Sequence, residues 1–276
     1  MPWRLRAILI TIFIILRELV RSKAALPNAV ASLRDREARI LSQNGEDGVI
    51  ASIFAEIGFS SRRFCEFGFS ASQCNALLLV RRHRFAGLWI DADRATCDVA
   101  RTVGRLLGWR DVRVLHDCIT RDNINPILAM LAGDDAAGID LLSIDIDGID
   151  YWVLDAVEGV RPRVLVLEYN AVFGPDRAVT VPYDDTFDRF AWNADGLYFG
   201  ASLAALERLA AGKGYRLLGT ESSGTNAFFV DAGIAAPSLP TVTAAQCWHP
   251  MAFWTSRGRT MEECFTAISD LPLMEV

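Results

Sequence analysis

The sequence predicts an α/β protein, a mostly parallel sheet with helices on both faces, closed at one side by an antiparallel hairpin. Three observations predict it. Short apolar runs alternate with segments of helical periodicity from Arg63 to Glu168, and strands separated by helices build parallel sheets. Two of the runs stop abruptly in acid: Leu-Leu-Ser-Ile before Asp145, Asp147 and Asp150, and Val-Leu-Val-Leu before Glu168, Tyr169 and Asn170. Buried parallel strands are continuous in Val, Ile and Leu, and ligands of open α/β sheets bind beyond their carboxyl ends. Finally, Gly214 to Glu221 and Asn226 to Val230 flank Ser-Ser-Gly and pair naturally as a hairpin.

The elements follow in order. Residues 1–38 stand apart: Arg4 and Arg6 precede an apolar run from Ala7 to Leu16, and Arg17, Arg21, Ser22 and Lys23 follow it. The run is too short to span a bilayer, which needs about 20 residues. It has the length of a signal-peptide apolar region, but Arg17, Glu18, Arg21 and Lys23 occupy the place of a small-residue cleavage site. Two readings fit. One is an interfacial helix on the inner, cytoplasmic face of a membrane, its apolar stripe in lipid and its basic ends on anionic headgroups, giving residues 1–23 a peripheral membrane contact. The other is an ordinary helix packed on the domain.

The main domain, 39–232, opens with a polar turn from Ser42 to Gly48 and a helix from Val49 to Ile57. Strands are expected at Arg63 to Gly68, Gly87 to Asp91, Asp111 to Asp117, Ile139 to Ile146 and Val164 to Glu168. Between them lie helices near Asn75 to Arg82, Arg94 to Leu107, Asn123 to Leu131 and Tyr151 to Val157. Pro126 falls in a first helical turn, where proline is tolerated, and Asp150 is placed to cap the helix after it. Phe173 to Phe199 is a polar and aromatic stretch long enough to be a lid or substrate loop. A helix from Ser202 to Ala211 leads to the hairpin. The extension 233–276 carries Pro237, Pro240 and Pro250 and no regular core element before a helix near Met261 to Ile268.

Composition excludes several classes. With 51% hydrophobic residues and a net charge of −6, the chain is an ordered globular protein without the basic surface of a nucleic-acid binder. Its six cysteines, Cys65, Cys74, Cys97, Cys118, Cys247 and Cys264, form no CxxC pair and sit among apolar segments, which argues against zinc or a disulfide framework and for buried free thiols in a reducing compartment. Three histidines are too few for a histidine-rich metal site, and His116, beside apolar residues, reads as structural.

Five local sequences occur in the order of a known family: Ser-Gln-Asn-Gly-Glu-Asp at 42–47, Cys-Glu-Phe-Gly at 65–68, Gly-Leu-Trp-Ile-Asp at 87–91, Ser-Ile-Asp-Ile-Asp-Gly at 143–148 and Leu-Glu-Tyr-Asn at 167–170. Over roughly residues 40–231 the chain resembles the FkbM-type methyltransferases, S-adenosylmethionine-dependent enzymes of the class I methyltransferase fold. The resemblance implies a Rossmann-like seven-stranded mixed sheet in the order 3-2-1-4-5-7-6, S-adenosylmethionine as cofactor, and O-methylation of a small hydroxylated acceptor, a sugar or glycan. It implies that Glu66 and Gly68 flank the cofactor, the glycine allowing backbone approach and the acid accepting from the methionyl ammonium. Asp91 would take the ribose hydroxyls, and Asp117 the adenine amino group. Solvated strand ends or helix caps are the plainer reading of each acid. The chain departs from the family after Gly68, where Phe69-Ser-Ala-Ser-Gln73 replaces further glycine; serines can supply hydrogen bonds, and bulky Phe69 is expected to narrow the pocket.

Methyl transfer from a sulfonium is an in-line displacement, so the protein aligns the acceptor and, for a hydroxyl, removes a proton. Asp145, Asp147 and Glu168 are the candidate bases. Asp145 and Asp147, two apart, point the same way on an extended chain. Asp145 and Asp147 with Asn170 also form an oxygen-donor set for Mg²⁺ or another divalent cation, resembling metal-dependent O-methyltransferases, although Tyr169 separates acid from amide here. Tyr183, Asp184, Asp185, Trp192 and Tyr198 are candidates for an acceptor surface. Two other functions fit the same residues: a non-catalytic relative acting in polysaccharide assembly, and a metal-dependent enzyme that uses Asp145 and Asp147 without a methyl donor.

Overall fold

In the computed structural model, which describes residues 3–21, 33–132 and 138–276, the apolar runs assemble as one seven-stranded sheet. Arg63–Phe67 (β1), Ala86–Asp91 (β2), Val112–His116 (β3), Leu141–Ile144 (β4) and Val164–Glu168 (β5) are parallel. Val179–Thr180 (β6) belongs to a separate ribbon. Tyr215–Thr220 (β7) and Asn226–Asp231 (β8) close the sheet antiparallel. The order is β3-β2-β1-β4-β5-β8-β7; counted within the sheet, this is the 3-2-1-4-5-7-6 arrangement of the class I methyltransferase fold.

Period-two alternation divides the core between the two faces of the sheet. Phe64, Trp89, Leu141 and Val166 pack with the helices Glu46–Ile57 (α2), Leu77–His83 (α3) and Arg94–Leu107 (α4). Cys65, Leu88, Leu142 and Leu165 pack on the other side with Ile124–Ala132 (α5), Asp150–Ala156 (α6) and Leu203–Gly212 (α8). Trp3–Arg21 (α1) lies against α4 and buries Ile15 completely. Ser22 and Lys23 of the basic amino-terminal segment lie outside the described residues. Among the described residues, no helix is long and apolar enough to cross a membrane.

Several boundaries move for local reasons. Helix α2 starts at Glu46, three residues before Val49, because the Asp47 carboxylate reaches back to accept from the N–H groups of Ile40 at 3.0 Å and Ser42 at 2.6 Å. Strand β4 ends at Ile144 rather than Ile146. Asp145 N–H still donates to the Phe67 carbonyl at 3.2 Å, but Asp147 adopts φ 57° and turns the chain out of the sheet. Asp150 does not cap α6. It is the first helical residue, and its carboxylate accepts from Ile146 N–H at 2.9 Å and Gly148 N–H at 3.1 Å, closing the loop behind it.

The carboxyl-terminal extension enters the main core, burying Ala244, Met251, Met261, Cys264 and Ile268 in the same apolar cluster as the sheet. Its last residues, Met274–Glu275 (β9), pair antiparallel with β6. The long stretch from Phe173 to Phe199 is therefore tied down: β6 pairs with β9, Trp152 Nε1 donates to the Val181 carbonyl at 2.8 Å, and Arg189–Trp192 forms one helical turn, α7.

Candidate active site

The carboxyl ends of β1, β2, β3 and β4 open on a cleft of about 680 Å³. Gly68 makes it possible. It follows β1 with φ +68°, and a Cβ there would sit 1.4 Å from the Asp145 carbonyl oxygen, so β1 and β4 approach as closely as they do only with glycine at this position. Glu66 does not face the cleft as expected. It is buried on the α3 side, where its carboxylate accepts from Asn75 N–H at 2.6 Å, Ala76 N–H at 3.1 Å and Trp89 Nε1 at 2.7 Å. Burial pushes its carboxyl up to about 7. The acid thus shapes the turn after β1 and is not among the cleft-lining groups. Phe69 does not narrow the cleft either; it is buried and stacked on Trp89 with centroids 5.8 Å apart.

Asp91 and Asp117 do line the cleft. Asp91 ends β2 and accepts from Phe69 N–H at 3.2 Å and Asp93 N–H at 2.6 Å, which fixes its carboxylate at the mouth while leaving acceptor capacity for a ligand hydroxyl. Partial burial, then the charges of Asp93 and Asp147, raise its pKa against those hydrogen bonds. Asp117 is exposed and accepts from Cys118 N–H at 2.9 Å. His116 has its Nε2 3.0 Å from the Ala92 carbonyl. The cysteines are all free; Cys118, against expectation, is exposed and lines the cleft, and Cys247 is half-buried.

Asp145 and Asp147, which line the cleft, and Glu168, buried at the end of β5, each bring a carboxylate oxygen within 4.8 Å of the others. The early end of β4 brings this about: Asp147 reaches the cluster through its left-handed turn and not along an extended strand, as the spacing suggested. Burial, then the charges of Asp147 and Asp150, push Asp145 well above the carboxylate range. Glu168 is raised likewise by burial, then by the charges of Asp145, Asp147 and Asp150. Asp145 and Glu168 lie with carboxylate oxygens within 4.8 Å of each other, and the charge of Asp145 helps to hold a proton on Glu168. The pair therefore titrates as a unit. Glu168 Oε2 is buried and has no hydrogen-bond partner among the described residues.

Asn170 is excluded from the cluster. Its Oδ1 accepts from Val172 N–H at 3.0 Å and its Nδ2 donates to the carbonyls of Leu197 at 2.8 Å and Phe199 at 3.0 Å, all inside the core. The amide predicted as a metal ligand ties the long loop to β5; Glu168 takes its place beside Asp145 and Asp147.

Arg189, which the sequence pattern did not single out, completes the site. It pairs with Asp147, donates from Nε to the Gly196 carbonyl at 2.8 Å and stacks over Phe199 at 3.8 Å. The only signal for it is its isolation as the single basic residue between Arg177 and Arg208 in an acid-rich stretch. Among the described residues, the cleft is thus lined by seven aspartates, Asp91, Asp93, Asp117, Asp145, Asp147, Asp185 and Asp188, and one cation, Arg189.

A second cavity of about 510 Å³ adjoins it, with Asp185 and Phe187 common to both. Its walls include Tyr183, Asp184, Trp192, Tyr198 and Pro272, so all five residues expected to form an acceptor surface meet in one hollow.

No protein-family model and no curated protein matches the sequence. Solved structures of similar chain path include the N-terminal domain of EvdMO1 with SAH bound, at 12% identity over 79% of this chain and 93% of that one, TM-score 0.42. Cofactor-bound Rv0187 from MTB is 16% identical over 80% and 89%, TM-score 0.43. Geranyl diphosphate methyltransferase in complex with GPP and sinefungin is 15% identical over 61% and 59%, TM-score 0.40. The chemistry of the cleft is read from its own side chains.

Proposed function

We propose that the protein is an S-adenosylmethionine-dependent O-methyltransferase acting on an uncharged or positively charged hydroxylated acceptor, a sugar or glycan first among them. The observation that carries this reading is the strand-end cleft, where seven aspartates face one arginine around a backbone contact that only glycine allows. Such a charge balance favours a cationic ligand. The carboxylate set suits S-adenosylmethionine, whose sulfonium and ammonium are both positive: Asp91 would accept from the ribose hydroxyls and Asp117 from the adenine amino group, and Gly68 would allow close backbone approach. When bound, the cofactor supplies an electrophilic methyl group.

The remaining work falls to this chain. Asp145, which lines the cleft, and its neighbour Glu168 both have raised pKa values, so whichever is ionised is a stronger base toward an acceptor hydroxyl than an ordinary carboxylate. Arg189, held between Asp147 and the Phe199 ring, fastens the long loop over the cleft. The adjoining hollow offers Trp192 and Tyr183 as flat faces and Asp184 and Asp185 as acceptors, a combination that suits a polyhydroxylated ring and repels an anionic one. The sequence resemblance to FkbM-type methyltransferases supports the sugar preference.

A second reading has Asp145, Asp147 and Glu168 hold a divalent cation. The unpartnered buried Glu168 Oε2 favours it, since a hard cation takes carboxylate oxygens and replaces a proton there. Such a cation would acidify a nearby hydroxyl. Calorimetry with S-adenosylmethionine, with and without Mg²⁺, separates these readings. Binding without metal supports the first, binding that requires Mg²⁺ supports the second, and no binding to folded protein under either condition overturns both.

A further inference from the structure

Helix α1 has two apolar faces, and the fold uses one. Ile15 and Thr11 are buried, and Ala7, Ile8 and Ile12 pack beside them on the core that α4 shares. The opposite face exposes Leu5, Leu9, Phe13 and Leu16, at 46%, 50%, 63% and 48%. Their spacing of four, four and three residues places them in one stripe along the helix. With Ile10 they make up five of the eleven large apolar side chains most open to water among the described residues, so the exposure is concentrated rather than scattered. Arg6 and Arg17 are exposed along one edge of the stripe; at 100° per residue they lie next to Phe13.

The charge pattern selects the occupant. The chain as a whole is acidic at −6, yet its first 23 residues hold five basic residues against one acid. A 19-residue helix is about 28 Å long and offers a face of roughly 300 Å², well under the ~800 Å² per partner of a stable interface. A second copy would also bring like charges together. A lipid surface needs no matching shape, accepts a narrow apolar stripe, and rewards arginine at its edge when the headgroups are anionic.

We infer that α1 is a membrane-surface anchor: the Leu5, Leu9, Phe13 and Leu16 face enters the headgroup boundary of an anionic bilayer, with α1 still packed on α4 and not spanning. The catalytic domain is thereby held at a membrane surface, independently of the reaction it performs.

The test is co-sedimentation of the full chain with vesicles of phosphatidylcholine alone and of phosphatidylcholine mixed with phosphatidylglycerol, which supplies the anionic surface. Binding is expected to the anionic vesicles, to weaken as salt is raised, and to fall about tenfold or more in Phe13→Asp, which loses the burial of a whole aromatic side chain. Arg6→Gln is expected to cost several-fold on anionic vesicles only. Both residues are exposed, so an unchanged melting temperature checks the fold. Failure to bind anionic vesicles, or binding that Phe13→Asp leaves unchanged, overturns the inference. So does a dimer in solution that Phe13→Asp splits into monomers, because the face would then belong to a second copy.

Discussion

Gly68→Ala probes the contact on which the cleft is built. The added methyl would lie 1.4 Å from the Asp145 carbonyl oxygen and 2.6 Å from its carbon, so the two chains must part by roughly 2 Å to reach an ordinary contact of about 3.5 Å. Neither side yields easily: Gly68 N–H donates to the Ile90 carbonyl at 3.0 Å, and Asp145 N–H to that of Phe67 at 3.2 Å. Two costs add. The φ of +68° costs an L-residue about 1–2 kcal/mol, and overpacking against backbone costs a further ~1–3 kcal/mol. Gly108→Ala isolates the first cost, since Gly108 has φ +74° and nothing within 4 Å of an added Cβ. At roughly 2–4 °C per kcal/mol for a chain near this size, scanning calorimetry should lower the melting temperature by about 3–6 °C for Gly108→Ala and by about 10 °C for Gly68→Ala. Only Gly68→Ala should also weaken cofactor binding. Equal melting temperatures for the two variants would refute the close approach of β1 and β4.

Other consequences follow from the same site. Asp147→Asn removes a charge that raises both Asp145 and Glu168, so the acid limb of the pH–rate profile should move to lower pH; a limb that stays in place contradicts the coupled pair. Asn170→Ala strands the carbonyls of Leu197 and Phe199 and the Val172 N–H inside the core, costing on the order of 3 kcal/mol in thermal unfolding, with any Mg²⁺ dependence unchanged. Glu66, Asp47 and Asp150 are raised by burial to about 7, 6 and 6. The native state therefore holds protons that the unfolded chain releases from about pH 4 upward, and stability falls as pH rises through this window to about 7. For Glu66 alone, a tenfold change in proton affinity being about 1.4 kcal/mol, the loss is roughly 3 kcal/mol, read as a higher melting temperature at pH 5.5 than at pH 8; a flat or rising profile contradicts it.

The strands were legible because burial on both faces leaves a continuous apolar signature, as in Val164 to Leu167, and because acids mark where each run reaches the cleft. Asp91, Asp117, Asp145 and Asp147 were found on that basis and all line it. Side-chain direction beyond a strand end was not legible. Glu66 follows the same pattern as Asp91 but turns inward, because Trp89 on the neighbouring strand and the Asn75 turn supply donors behind the sheet. Asp150 carries the sequence mark of a cap, yet it reaches backward, since Asp147 has already turned the chain. Asn170 is consumed by carbonyls 27 and 29 residues away, and β9 pairs with β6 across more than 90 residues; no local pattern records such partners. Arg189 belongs to the same class, its role set by Asp147 and Phe199.

A crystal structure of the protein soaked in S-adenosylmethionine tests the central claim most directly. The account predicts ligand density in the cleft of about 680 Å³, with the ribose against Asp91 and the adenine toward Asp117, and loss of that density in Asp91→Ala at the same concentration. Density elsewhere on the molecule, or an empty cleft at saturating ligand, would contradict it.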